Sequence, residues 1–217
     1  MKRFRDARGE RVWYEADEIE RITSGALRSA GLMPRSAAPA VDIEAFVEMH
    51  LGAVVDYGAD LPDAVLGYTE FDEPPRIVVS RRLTDLATTP QASPGLRGRW
   101  RATLAHEAAH LLLHSHIRGA GNMTPKLTAQ AINLPGGVAT SDWREVQANM
   151  GMAALLMPRE LFLTEARRHL EREPMFLPLD VEGLAANRLV TILGEEFQTS
   201  MEATRLRLST FGWVSRT

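Results

Sequence analysis

His106, Glu107 and His110 form an H-E-x-x-H pattern inside Ala105-His106-Glu107-Ala108-Ala109-His110-Leu111-Leu112-Leu113. On a helix, positions i and i+4 share a face, so the two histidines can offer two imidazoles to one metal ion. Glu107, beside them, can reach a water on that ion. A catalytic zinc takes three protein ligands and leaves one position for water, which the ion acidifies and a carboxylate activates. The chemistry implied is zinc-dependent peptide hydrolysis with one catalytic ion. The flanks support a buried helix, since Trp100, Leu104, Ala108, Leu111 and Leu112 recur at helical spacing. Polar groups inside so apolar a helix need partners, and a metal is the simplest one.

Two H-E-x-x-H histidines require a third ligand. Glu145 is the candidate, because a glutamate one helix downstream completes a two-His, one-Glu zinc set. Ser141 or Asp142 can cap that helix, with Glu145 following as in a capping box. Asn149 lies one turn below Glu145, from where it can hydrogen-bond a ligand histidine. The rival ligand is His116, whose spacing from His110 is that of the metzincins. That pattern needs a glycine for a sharp turn where Leu113 stands. His114, one turn beyond His110, is left open between an outer-shell role, proton donation and simple exposure.

The elements that must position these groups are legible in outline. Ala16 to Leu32 is amphipathic, with Ile19, Ile22, Ala26, Leu27 and Ala30 on one face, and Gly31 and Pro34 stop it. Asp42 is an N-cap for a helix through His50, with Ile43, Phe46 and Val47 turned inward. Ala53 to Tyr57, Ala64 to Phe71 and Arg76 to Ser80 are short apolar or alternating runs between turn residues, and predict three strands of a small sheet. Arg82 to Gly98 is expected to be a polar loop, with the histidine helix starting at about Arg99. Gly119 to Ser141 lacks periodicity and is expected to be a long loop, with a lid or substrate-gating role. The next helix runs from Asp142 to Met157, ended by Pro158. Leu161 to Leu170, Leu184 to Glu196 and Ser200 to Leu208 predict further helices, the last two in a helix-turn-helix pattern.

Composition narrows the function classes. The chain has 217 residues, 45% of them hydrophobic, and a formal net charge of −3. That suits one compact domain, or one domain with a small appendage, and no global charge argues for nucleic-acid or membrane surfaces as partners. The sequence has no cysteine, so disulfides, thiol nucleophiles and thiolate metal sites are excluded. Met1 to Glu10 is charged and lacks the apolar core of a secretory signal, and no apolar run reaches membrane-spanning length. A cytoplasmic protein is expected. The C-terminal stretch from Arg159 carries 8 Arg against 9 acids, a poor electrostatic footprint for DNA. It is expected to pack on the rest of the chain or grip a partner.

Three segments resemble the ImmA/IrrE family of metallopeptidases. They are Arg99-Trp100-Arg101-Ala102-Thr103-Leu104-Ala105-His106-Glu107-Ala108-Ala109-His110, then Glu145-Val146-Gln147-Ala148-Asn149, then Leu155-Leu156-Met157-Pro158. The likeness extends more loosely over residues 40–212, including Phe197 to Ser200 and Arg205 to Leu208 near the end. It departs at Gly151 and Met152, where the family usually has Phe-Ala, and at Gln147, where the family often has Glu. The resemblance implies an α+β fold: a zincin-like minimal metallopeptidase domain, with a small mixed sheet packed on helices, and a helix-turn-helix-like C-terminal part. The expected division is 1–40 as an N-terminal helical extension, 41–158 as the peptidase domain and 159–217 as a helical subdomain. By position, the resemblance makes His106, His110 and Glu145 the zinc ligands and Glu107 the general base. It implies cleavage of a regulatory protein, a helix-turn-helix transcriptional repressor, with stress-response regulation as the setting. An extended substrate is expected to add to the strand around Ile77 to Val79 as to an open sheet edge. His116, His169 and Tyr68 are the candidates for steadying the oxyanion. The competing readings are a non-catalytic, zinc-containing repressor antagonist and a DNA-binding regulator with a vestigial peptidase fold.

Overall fold

The computed structural model describes residues 2–6, 9–115, 127–130, 143–171 and 177–215. The chain begins with an antiparallel hairpin, β1 (Lys2–Asp6) and β2 (Gly9–Trp13), followed by helix α1 (Ala16–Ser29). Lys2, Arg3, Arg5 and Asp6 make β1 mostly charged, which hides the hairpin in the sequence. Asp42 caps the next helix as expected, its Oδ1 accepting the Ala45 amide hydrogen bond at 3.0 Å. That helix, α2, is only Ile43–Ala45, and it passes into a π-helical turn at Phe46–His50. Ile43, Phe46 and Val47 are fully buried, while His50 is exposed and stacks on Phe46.

The three expected strands are present as β3 (Val54–Ala59), β4 (Val65–Glu70) and β5 (Arg76–Ser80). A fourth, β6 (Leu127–Gln130), comes from the stretch read as a loop, and the sheet order is β3-β5-β4-β6. Strand β5 runs parallel to β3 and antiparallel to β4, with Val55 opposite Ile77 and Thr69 opposite Ile77 from the other side. Ile77–Val79 therefore lies inside the sheet and is buried. The expectation that a substrate strand adds there is corrected, because both hydrogen-bonding edges of β5 are already taken. Among the described residues, the edges of the sheet belong to β3 and β6. The rest of 119–141 lies outside the described residues, and so does the lid assigned to it.

Helix α3 (Arg81–Ala87) occupies part of the stretch expected as a loop. Its charged outer residues hide the pattern, but Leu83 and Ala87 are one turn apart and both buried. Helix α4 (Pro94–His114) starts five residues earlier than expected, since Ser93 caps it and Pro94 takes the first helical position. Proline there loses no helical hydrogen bond, so it starts this helix instead of marking a loop. Helix α5 (Trp143–Leu156) packs against α4 and is followed by α6 (Arg159–Leu170). A Cβ built on Gly151 would meet the Ala109 Cβ at 2.8 Å and Leu113 Cδ1 at 3.2 Å. The departure at Gly151 is thus what lets α5 lie close against α4.

The core under the sheet joins Leu27, Phe46, Ile77, Val79, Trp100, Leu104 and Leu155. A second cluster, with Phe162, Leu189, Leu193, Phe197 and Leu208, forms around α6, α7 (Leu184–Phe197) and α8 (Met201–Thr210). Short parallel strands β7 (Leu179–Asp180) and β8 (Val214–Ser215) close it. Contacts from α8 and from the turn before it tie these helices to the rest. A Cβ on Gly98 of α4 would strike the Ser200 backbone nitrogen at 2.9 Å, so the α7–α8 turn sits directly on α4. Arg207 of α8, almost fully buried, forms two hydrogen bonds to Glu20 of α1 at 2.6 and 2.9 Å and also donates to the Met157 carbonyl. No helix among the described residues is long and apolar enough to cross a membrane.

Candidate metal centre

Helix α4 is buried on nearly every side from Thr103 to Leu111, with sheet on one side and α5 on the other. That is why its polar side chains are held so tightly. His106 and His110 point their Nε2 atoms at one another, 3.0 Å apart. Glu145 of α5 faces both, with Oε2 3.1 Å from His106 Nε2 and Oε1 3.4 Å from His110 Nε2. These three residues form a cluster whose ligand atoms all lie within 4.8 Å of one another, the geometry of a group that could hold a metal ion. The structure brings together the three residues expected as ligands.

The outward nitrogens are engaged elsewhere. His106 Nδ1 lies 3.0 Å from Asn149 Oδ1, the contact anticipated from the helical spacing. His110 Nδ1 lies 3.0 Å from His114 Nδ1, and His114 Nε2 lies 3.3 Å from Gln147 Oε1. His114 is fully buried, with the Trp143 ring edge-on to it, so simple exposure is ruled out for this residue. His116 lies outside the described residues, as do Ser141 and Asp142.

Electrostatics follow from burial and this crowding. Burial pushes the His106 imidazole down, but the hydrogen bond to Glu145 and the charges of Glu107 and Glu145 outweigh it and leave its pKa raised. His110 goes the other way, to about 4, chiefly because it is buried. Burial works to raise Glu145, yet the hydrogen bonds from His106 and His110 bring it down to about 2. Together these directions favour one positive charge between the two imidazoles and the carboxylate.

Glu107 is fully buried and turns toward the sheet. The Thr69 hydroxyl of β4 donates to its Oε2 at 2.7 Å. Gly67, two residues earlier, makes the approach possible: a Cβ there would meet Val78 O at 2.8 Å and Thr103 Cγ2 at 3.0 Å. Thr69 was not foreseen, because nothing local in a strand of that composition marks one threonine as a partner for a distant acid. Strand alternation places Tyr68 on the opposite face from Thr69 and Gly67, away from Glu107. His169, another oxyanion candidate, belongs to a different group, on α6, where its Nε2 lies 2.9 Å from Glu196 Oε1. His169 is therefore not part of the His106–His110–Glu145 cluster.

Residues 97–209, more than half of the chain, match the family model Peptidase_M78, the IrrE N-terminal-like domain. The chain belongs to this family. The match covers α4 from residue 97 and all of α5, with His106, Glu107, His110 and Glu145, and runs on into α8. It leaves out the N-terminal hairpin, α1 and strands β3 to β5. No curated protein and no solved structure matches the chain. Membership in the Peptidase_M78 family and the His/Glu cluster together support a metallopeptidase-type α+β fold with a site compatible with a metal ion.

Proposed function

We propose that the chain is a zinc-dependent endopeptidase in which His106, His110 and Glu145 hold one ion and Glu107 is the general base. The observation that carries this reading is the facing pair of imidazole Nε2 atoms, 3.0 Å apart and opposite one carboxylate. Two ring nitrogens at that distance need a proton or a metal ion between them, and the carboxylate opposite favours a positive charge there. Two neutral imidazoles and a carboxylate, with no cysteine in the chain, form a donor set suited to zinc.

When bound, zinc supplies Lewis acidity, acidifying a water and polarising the scissile carbonyl. The chain's own residues do the rest. Glu107 accepts a proton from the attacking water and passes it to the leaving amine. The Thr69 hydroxyl holds Glu107 Oε2, which limits the carboxylate to one orientation. Asn149 holds the His106 ring by its outer nitrogen.

The substrate class proposed from the family resemblance is a regulatory protein, a helix-turn-helix transcriptional repressor, cleaved in the cytoplasm as part of a stress response. In this reading residues 1–40 extend a peptidase domain at 41–158. The helix-turn-helix-like helices of 159–217 brace that domain or grip the partner, without reading DNA. The burial of Arg207 against Glu20 and Met157 supports the bracing role.

The test pairs wild type with Glu107→Gln, measuring zinc content and cleavage of repressors encoded nearby. Expected are zinc in both proteins and cleavage by wild type only, the rate of the variant falling by about 10²–10⁴-fold. Zinc in both with binding but no cleavage by wild type would favour the non-catalytic antagonist. Absence of zinc from wild type after supplementation would overturn the reading.

A further inference from the structure

We infer that His114 and Gln147 are positioning residues of the metal centre, which act with the Val12 carbonyl to fix the tautomer of His110. The inference rests on His110 being a metal ligand as proposed above.

The Val12 carbonyl of β2 can only accept. Gln147 Nε2 lies 3.3 Å from it and donates to it. The opposite orientation of the amide would set two oxygens against each other, so Gln147 Oε1 is directed at His114. That oxygen accepts from His114 Nε2, 3.3 Å away, so the His114 proton is on Nε2. His114 Nδ1 is then a lone pair, and it accepts from His110 Nδ1 at 3.0 Å. The His110 proton is therefore on Nδ1, and Nε2 faces His106 and Glu145 as a lone pair. Each of the four groups has one role that all the others accept.

The arrangement is built into the fold. His110, His114 and Gln147 are all fully buried, so no solvent competes for these bonds. Residues 106, 110 and 114 share one face of α4, and Gln147 is two residues past Glu145 on α5. The terminal acceptor comes from the N-terminal hairpin, which lies outside the segment that matches the family model. The hairpin thereby has a physical link to the proposed centre. A buried imidazole with no acceptor for its Nδ1 proton is free to carry the proton on Nε2, where it would block a metal bond. Residues that hold a ligand histidine from behind are worth about 10–100-fold in metal affinity.

The experiment has two arms on the full chain. In the first, histidine nitrogen NMR of wild type reads the tautomers directly. His110 protonated on Nδ1 and His114 protonated on Nε2 are expected, with or without zinc. Protonation of His110 on Nε2 would overturn the inference whether or not any variant folds. In the second arm, zinc dissociation constants are measured by chelator competition for wild type, His106→Ala, His114→Leu and Gln147→Leu. Binding by wild type and loss of binding in His106→Ala establish the centre on which the inference rests. Against that reference, His114→Leu is expected to bind about 10–100-fold more weakly, and Gln147→Leu to weaken binding less while giving mixed His110 tautomers. Wild-type affinity in both folded variants would overturn the positioning role. Absence of zinc from wild type would instead count against the metal centre, and the first arm would then decide the hydrogen-bond order alone.

Discussion

Two clusters in this molecule have the same residue types and different physics. The first is His106, His110 and Glu145, across α4 and α5; the second is Glu165, His169 and Glu196, across α6 and α7. Each pairs an i,i+4 helical couple with a carboxylate from a neighbouring helix. In the second, Arg168 Nη2 lies 2.6 Å from Glu165 Oε2 and 3.0 Å from Glu196 Oε1. His169 donates to the same Glu196 oxygen. The cation this cluster needs is thus a side chain of the chain itself. Around the first cluster the outer nitrogens of the histidines are tied to Asn149 and His114, while the inner nitrogens converge on one carboxylate. A list of ligand-type residues within reach does not separate the two. What separates them is whether a protein cation already fills the centre, and whether the rings are held from behind.

The largest expected effect breaks the pair apart. Glu145→Ala should abolish zinc retention, while Glu196→Ala should leave it unchanged; the check is metal content after dialysis. Arg168→Met should cost about 1–3 kcal/mol, less than a fully buried pair because the arginine is half-exposed, as read by chemical unfolding. It should leave the metal stoichiometry alone. Loss of zinc in Arg168→Met would mean that the second cluster supports the first.

Helix spacing sharpens the same contrast. Gly151→Ala places a methyl 2.8 Å from the Ala109 Cβ, between the two helices that carry the first cluster. Overpacking there should cost about 1–3 kcal/mol. It should also weaken zinc binding, because α5 cannot move without moving Glu145. A variant as stable as wild type with unchanged affinity would show that the separation of α4 and α5 is not critical.

The smallest effect is in pH. The raised pKa of His106 means that a proton must leave before a metal takes its place. Apparent zinc affinity should therefore rise with pH up to the pKa of His106, by about tenfold per unit for each proton expelled, and level off above it. Glu145, near 2, and His110, near 4, are already deprotonated over that range and add no slope. Calorimetry in buffers of different ionisation enthalpy counts the protons released. A flat profile between pH 5 and 8, estimated as about the range in which a histidine titrates, would contradict the proton-for-metal exchange.

The candidate centre was more legible in the sequence than the sheet around it, and the reason is local versus long-range information. The i,i+4 spacing of His106 and His110 depends only on helix geometry, and so does the placement of Asn149 one turn from Glu145. Thr69 meets Glu107 from 38 residues away, through a strand whose position no pattern encodes. The interior place of β5 could not be read either, because Ile77 to Val79 is equally apolar at an edge or in the middle. Strand β6 was hidden in a polar stretch whose pairing with β4 is supplied by the fold. Helix α3 was hidden by its charged outer face. Gly151 departs from the family pattern in a way that suits close helix approach, and Ala109 opposite it is the residue approached. The partnership of Gln147 and Val12 joins α5 to the N-terminal hairpin, and its separation of 135 residues puts it beyond any motif.

The most direct test of the central claim is anomalous diffraction at the zinc edge from crystals of the full chain grown with zinc. The account predicts one strong peak, bonded to His106 Nε2, His110 Nε2 and a Glu145 oxygen at about 2.0–2.2 Å, and none at Glu165, His169 and Glu196. A peak at the second cluster with none at the first, or no peak at either, would contradict it.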